Sequence, residues 1–185
     1  MDIEVLKYPL GKYDSPQEIT SEILSEWIAS LETLPDNLKK LVGNLSYDEL
    51  EMQYRPGSWN IKQIVHHLAD SHMNSFIRFK WILTEDKPTV KTYNEEEWAK
   101  TIDATNEEIK ESTHILEGLH SRLIMLLKEL RPDQLKRTFI HPEYGKEFTL
   151  EWMIGLYAWH SRHHLAHIKQ AIALDGEFTP EKINE

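Results

Sequence analysis

Trp159-His160-Ser161-Arg162-His163-His164-Leu165-Ala166-His167 places four of the chain's ten histidines within eight residues. On an α-helix, which turns about 100° per residue, His160 and His164 stack one turn apart with His163 and His167 flanking them. Imidazoles at that spacing can hold one metal ion together, because their ring nitrogens converge above a single helix face. A lone histidine in such a helix reads as an exposed or hydrogen-bonded side chain. Four in one window read as a metal site, provided that a third ligand arrives from elsewhere in the chain.

Working outward, Thr149 can cap this helix with Glu151 in its first turn, and Gly176 is placed to end it, giving a helix over about 149–175. Residues 138–148 form a loop or small hairpin before it. A helix over about 105–130 turns Ile109, Leu116, Leu119, Leu123, Leu126 and Leu127 inward and stops at Arg131-Pro132-Asp133. Another, over about 60–84, carries the stripe Ile61, Val65, Leu68, His72, Phe76, Phe79 and Leu83. Its opposite row is Asn60, Gln63, His67, Asp70, Ser71, Asn74 and Arg78, a solvated face unless a neighbour covers it and makes it a pocket wall. The first long helix begins at Thr20 or Ser21 and continues through Trp27, Leu31, Leu34, Leu38, Leu41 and Val42; Pro35 is expected to kink or divide it.

Tyr8-Pro9-Leu10-Gly11-Lys12-Tyr13 and Ser15-Pro16 make residues 1–18 an irregular arm that packs on the domain and can reach a partner subunit. The 85–104 connection, with a short capped helix at Asn94-Glu95-Glu96-Glu97-Trp98, is too long for a tight hairpin and implies one crossover. Phe178 to Glu185 are expected to fray. Four long helices without a persuasive run of strands define an all-α fold, a four-helix bundle with an irregular N-terminal arm, as a single domain over 1–185.

Composition narrows the chemistry. There is no cysteine, which excludes disulfides, thiolate metal ligands and a cysteine nucleophile, so any thiol in the reaction comes from a substrate. A net charge of −10 opposes binding to nucleic acid, which needs a basic footprint. No basic-then-apolar leader opens the chain, and no apolar run approaches membrane-spanning length, so a cytoplasmic protein without membrane contact is expected.

The other dense histidine cluster is His66, His67 and His72. His67 shares a row with Asp70, Ser71 and Asn74, whereas His66 is followed by Ala69, Met73 and Ile77, so His67 is the favoured third ligand and His66 a packing residue. Three neutral imidazoles leave a coordination position for water or substrate, the pattern of catalytic rather than structural sites, and would lower the pKa of a water or thiol bound there. Zinc suits this donor set, and nickel, cobalt or ferrous iron are acceptable. His-Glu-x-x-His fails because Ser161 follows His160. Glu111-x-x-His114 and Glu117-x-x-His120 fall on one helix rather than two, which fails the di-iron pattern, and both read as surface positions. Ser71 and Ser161 lie in no nucleophile elbow. Asp70 can orient an imidazole, serve as a base, or pair with a neighbouring helix; Arg78 and Arg162 can bind an anionic group or act as surface and bridging residues; Trp59 and Trp159 read as core anchors.

Several of these pieces together resemble one family. Tyr8-Pro9-Leu10-Gly11-Lys12-Tyr13, Trp59 leading to Val65-His66-His67-Leu68-Ala69-Asp70-Ser71-His72-Met73-Asn74, Ile77-Arg78-Phe79-Lys80 and the 159–168 stretch are similar in order and spacing to the DinB-like superfamily, within it the YfiT/BstA group. The resemblance implies a four-helix bundle in which His67, His160 and His164 bind one divalent metal ion per subunit, zinc or nickel. It also implies a cytoplasmic homodimer acting on a small molecule. Members are commonly described as metal-dependent hydrolases, and some relatives look like transferases that conjugate the low-molecular-weight thiol bacillithiol to electrophiles. A non-enzymatic metal-binding bundle is the rival reading.

Overall fold

The computed structural model describes residues 3–105 and 108–177, so the frayed end expected at Phe178 to Glu185 lies outside the described residues. Four long helices carry the architecture: α2 (Ser21–Val42), α4 (Ile61–Thr84), α6 (Lys110–Lys128) and α8 (Leu150–Leu174). Short helices α1 (Ile3–Lys7), α3 (Tyr47–Leu50), α5 (Glu95–Trp98) and α7 (Pro132–Leu135) punctuate the arm and connections. Strands β1 (Thr138–His141) and β2 (Lys146–Thr149) form the small antiparallel hairpin. Among the described residues no helix is long and apolar enough to cross a membrane.

Local chemistry starts three of the long helices. Thr20 caps α2 by accepting from the Ile23 amide, and Thr149 caps α8 by accepting from the Trp152 amide. Asn60 and Gln63 form a reciprocal capping box on α4. On α6 the cap position is Ile109, which has no side-chain acceptor, and the helix begins at Lys110 rather than near Thr105. The arm is less irregular than its prolines suggest: Ile3–Lys7 is helical, and a turn follows at Tyr8–Gly11.

α2 packs against α6 and α8, and α4 packs against the same two helices, leaving α2/α4 and α6/α8 as diagonals. Side-chain pairs fix the directions. His66–Ser112 and His72–His120 ascend together, so α4 and α6 are parallel, and the long 85–109 connection is the crossover that makes them so. Thr89–Ile140 bridging ties that crossover to the hairpin. His67 and His72 meet α8 in descending order, which makes α4 and α8 antiparallel.

The core falls into two apolar clusters. One joins Trp27, Leu31, Phe79, Leu123, Phe139 and Ile154; the other joins Leu34, Leu38, Val65, Leu68, Leu116 and Ile168. Between them each helix of α4, α6 and α8 places buried imidazoles, so a polar layer crosses the middle of the bundle.

Pro35 does not divide α2, which runs unbroken from Ser21 to Val42. A proline inside a helix removes the donor that the carbonyl four residues earlier would use. Here that carbonyl belongs to Leu31, and it accepts instead from His120 Nδ1 at 2.8 Å. The replacement donor removes much of the reason for the helix to break there.

Candidate metal centre

The antiparallel packing of α4 on α8 brings His67 level with His160 and His164. The ring centroids of His67 lie 5.2 and 4.8 Å from those two, which are themselves 4.5 Å apart. One potential ligand nitrogen from each of the three lies within 4.8 Å of the others, and no fourth histidine or carboxylate joins them among the described residues. The two Nε2 atoms of His67 and His160 are 3.1 Å apart. Two nitrogens bound about 2.0–2.1 Å from one tetrahedral ion sit about 3.3 Å apart, so this pair is near ligating separation.

Electrostatics favour the form that metals bind. Burial pushes the pKa of His67 down to about 4 and those of His160 and His164 well below the usual histidine range, with neighbouring imidazoles adding to the effect. All three are therefore neutral at pH 7, as ligation requires. His164 Nδ1 is buried with no hydrogen-bond partner among the described residues. Neutral nitrogen donors, one of them partnerless and two facing each other, fit a borderline divalent cation.

The flanking histidines go elsewhere. His163 is stacked between Trp159 (4.5 Å) and Tyr8 (5.9 Å). His167 stacks on Tyr54 at 3.7 Å and donates through Nε2 to the Lys7 carbonyl at 3.0 Å. Both hold the N-terminal arm rather than the three-histidine group. His66 turns to α6, its Nδ1 2.8 Å from Ser112 Oγ. Trp59 lies against His67 at 4.7 Å, and the Trp159 indole donates to the Gly11 carbonyl.

Asp70 makes no ion pair among the described residues; it lines a cavity of about 290 Å³ with His66, Asp103 and Ser112. Burial, and secondarily Asp103, raise its pKa to about 6. Arg78 is a bridging residue, donating to the Lys91 carbonyl and to Tyr157 Oη, while Arg162 is exposed.

The surface position expected of both Glu-x-x-His pairs fails at one residue. Glu117 does face outward, paired with Lys39 at 3.0 Å, and His114 is exposed, but His120 is 2% exposed and lies in the core. Its spacing shows why: Leu116, His120, Leu123 and Leu127 form one buried stripe at helical period, which a motif search for Glu-x-x-His passes over. From His120 a line of rings leads to the three-histidine group. His120 Nε2 is 3.0 Å from His72 Nδ1, and His72 Nε2 is 3.4 Å from His160 Nδ1.

Comparison with known proteins supplies the context. Residues 30–168 match the family model described as the DinB superfamily. A presumed metal-dependent hydrolase of Oceanobacillus iheyensis is 47% identical over 162 residues, covering 88% of this chain and 93% of that protein. One of the same description from Halalkalibacterium halodurans is 46% identical over 166 residues, covering 90% and 96%. The solved structure of YfiT from Bacillus subtilis, described as a probable metal-dependent hydrolase with an unusual four-helix bundle topology, superposes with a TM-score of 0.90 at 42% identity, covering 94% of this chain and 99% of that one.

Proposed function

The chain belongs to the DinB superfamily, and from that membership and its converging imidazoles we propose that it is a metal-dependent hydrolase of a small molecule. The observation that carries the proposal is the meeting of His67, His160 and His164 with no fourth protein ligand among the described residues. Structural zinc sites close all four positions with protein side chains, whereas catalytic ones keep a position for water or substrate. A divalent ion held by these three nitrogens, zinc first and nickel next, supplies Lewis-acid activation of whatever occupies that position.

The protein's own residues set the surroundings. α4 and α8 hold the ligands on rigid helical elements. Trp59 covers one side of His67, and burial keeps the imidazoles unprotonated. Asp70, one turn beyond His67, lines the cavity shared with His66 and Ser112 rather than adjoining the three nitrogens, and its carboxyl, raised to about 6, is proposed as a more distant proton acceptor. A single domain over 1–185, argued from chain length, and a cytoplasmic homodimer, implied by the family resemblance, belong to the same proposal.

A thiol S-transferase reading has two observations in its favour: the chain has no cysteine, and among the described residues the ligand cluster contains no carboxylate to serve as an adjoining base. One experiment separates the readings. Metal content of the purified protein is measured, and the loaded protein is offered ester and amide substrates in one arm and an electrophile with low-molecular-weight thiols in the other. Cleavage that chelation stops and zinc or nickel restores is the expected result. Thiol consumption without cleavage replaces hydrolase by transferase, and a protein that takes up no metal sinks both.

A further inference from the structure

The line of rings behind the candidate metal centre has only one self-consistent proton arrangement. It starts at the Leu31 carbonyl, which can only accept a hydrogen bond, so His120 Nδ1, 2.8 Å away, carries the proton. A neutral imidazole has one N–H, which leaves His120 Nε2 bare. His72 Nδ1, 3.0 Å from it, must then be the donor, and His72 Nε2 is bare in turn. The same step fixes His160: its Nδ1, 3.4 Å from His72 Nε2, carries the proton, and its Nε2 presents a lone pair. That lone pair lies on the side of His67, 3.1 Å from its Nε2. Each step holds for a neutral ring, and the bundle encloses His72 and His120 at 0% and 2% exposure.

We propose that His72 and His120 are positioning residues: an imidazole relay anchored on the Leu31 carbonyl that fixes His160 in the Nδ1–H tautomer and so presents Nε2 as the ligand atom. The relay draws on all four long helices, Leu31 from α2, His120 from α6, His72 from α4 and His160 from α8. Its anchor exists because Pro35 cannot donate to Leu31. A metal-ligating histidine ordinarily donates its other N–H to a carboxylate or carbonyl, which orients the ring and raises its basicity. Here the partner is a second imidazole, itself held in one tautomer by a third. The Tyr157 ring, edge-on to His72 at 5.3 Å, closes the layer. The inference rests on the proposed metal site for its purpose, but not for its geometry.

The test begins with the metal-free full-length protein, labelled with ¹⁵N at histidine. Long-range ¹H–¹⁵N correlations report which nitrogen of each ring is protonated, and single histidine variants assign the signals. The expected pattern is Nδ1–H with bare Nε2 at His120, His72 and His160 alike, the opposite of the tautomer that solvent-exposed neutral imidazoles prefer. His160 found as Nε2–H in the wild type overturns the proposal, with no variant needed. His72→Phe, which keeps the ring and removes the acceptor, should release His160 from that tautomer and weaken zinc affinity about 10- to 100-fold, whereas His72→Gln, which can both accept and donate, should recover most of it. An unchanged His160 tautomer in His72→Phe also overturns the relay. If the wild type shows the expected tautomers yet binds no zinc or nickel in titration, the metal reading fails while the relay stands.

Discussion

Substituting Gly155 by alanine tests the contact on which the placement of α8 depends. An ideal Cβ at this position would lie 2.4 Å from Tyr13 Oη and 2.6 and 2.7 Å from Trp27 Cη2 and Cζ3. In a helix interior the exchange of glycine for alanine is normally favourable by about 0.5–1 kcal/mol. Against that stands overpacking, about 1–3 kcal/mol, because the Trp27 indole is 7% exposed and belongs to the packed cluster with Leu31 and Ile154. Tyr13 must also move, which breaks its 3.2 Å hydrogen bond to the Trp152 carbonyl and adds about 1 kcal/mol. The net expectation for Gly155→Ala is destabilisation by about 1–3 kcal/mol. Gly118 provides the control: it sits inside α6, is exposed, and its added Cβ would meet nothing within 4 Å, so Gly118→Ala should gain about 0.5–1 kcal/mol. Urea unfolding followed by far-UV circular dichroism measures both. A Gly155→Ala protein as stable as the wild type would show that α2 and α8 do not approach this closely, and with it the reasoning would fall.

His67→Ala, His160→Ala and His164→Ala should each lose bound metal while His163→Ala and His167→Ala largely keep it; elemental analysis of the purified variants decides, and retained metal in the first three refutes the ligand assignment. The metal-free protein should lose stability as pH falls below 6.5, because His67 and His120 are held at about 4 in the fold but take up protons near 6.5 when unfolded. Stability from these groups is complete above 6.5 and declines by about 1.4 kcal/mol per pH unit per group toward pH 4, roughly 3 kcal/mol for His120 alone; urea unfolding across that range reads it, and a flat profile would contradict the buried neutral rings.

Much of the bundle is legible in the chain because its cues are local. Thr20, Asn60 and Thr149 announce three helices by capping chemistry, and the 3.6-residue stripes that follow them extend as expected. The crossover was readable from the length of the 85–104 segment alone. The grouping of His67 with His160 and His164 followed from spacing on α8 and from the row that His67 shares on α4. The burial of His120 is legible in its period with Leu116, Leu123 and Leu127, but its pairing is not, because that depends on a carbonyl that Pro35 leaves without a donor in a different helix, and no motif joins positions 35 and 120. For the same reason Pro35 reads as a breaker in isolation and as an intact helical position once His120 is in place. The four-residue helices α3 and α7 are too short to have a period, and only local chemistry marks them: the Ser46–Glu49 capping box for α3 and Pro132 in the first turn of α7.

The attachment of the N-terminal arm has an asymmetry. α8 contributes the donors Trp159, His167 and Gln170, which reach the main-chain carbonyls of Gly11, Lys7 and Leu6, while the arm returns Tyr13 Oη to the Trp152 carbonyl. A carbonyl is the same group whatever side chain follows it. Recognition of this kind reads the path of the backbone and is blind to much of the sequence that runs along it. Lys7 is accordingly free to drift, and Gly11 wherever its φ of 72° survives, whereas Leu6 is held by its burial and the three donors on α8 by their bonds. Selection on this strap is thus shared: the helix it covers carries the donors, near the proposed metal ligands, and the arm carries Leu6, Tyr8 and Tyr13.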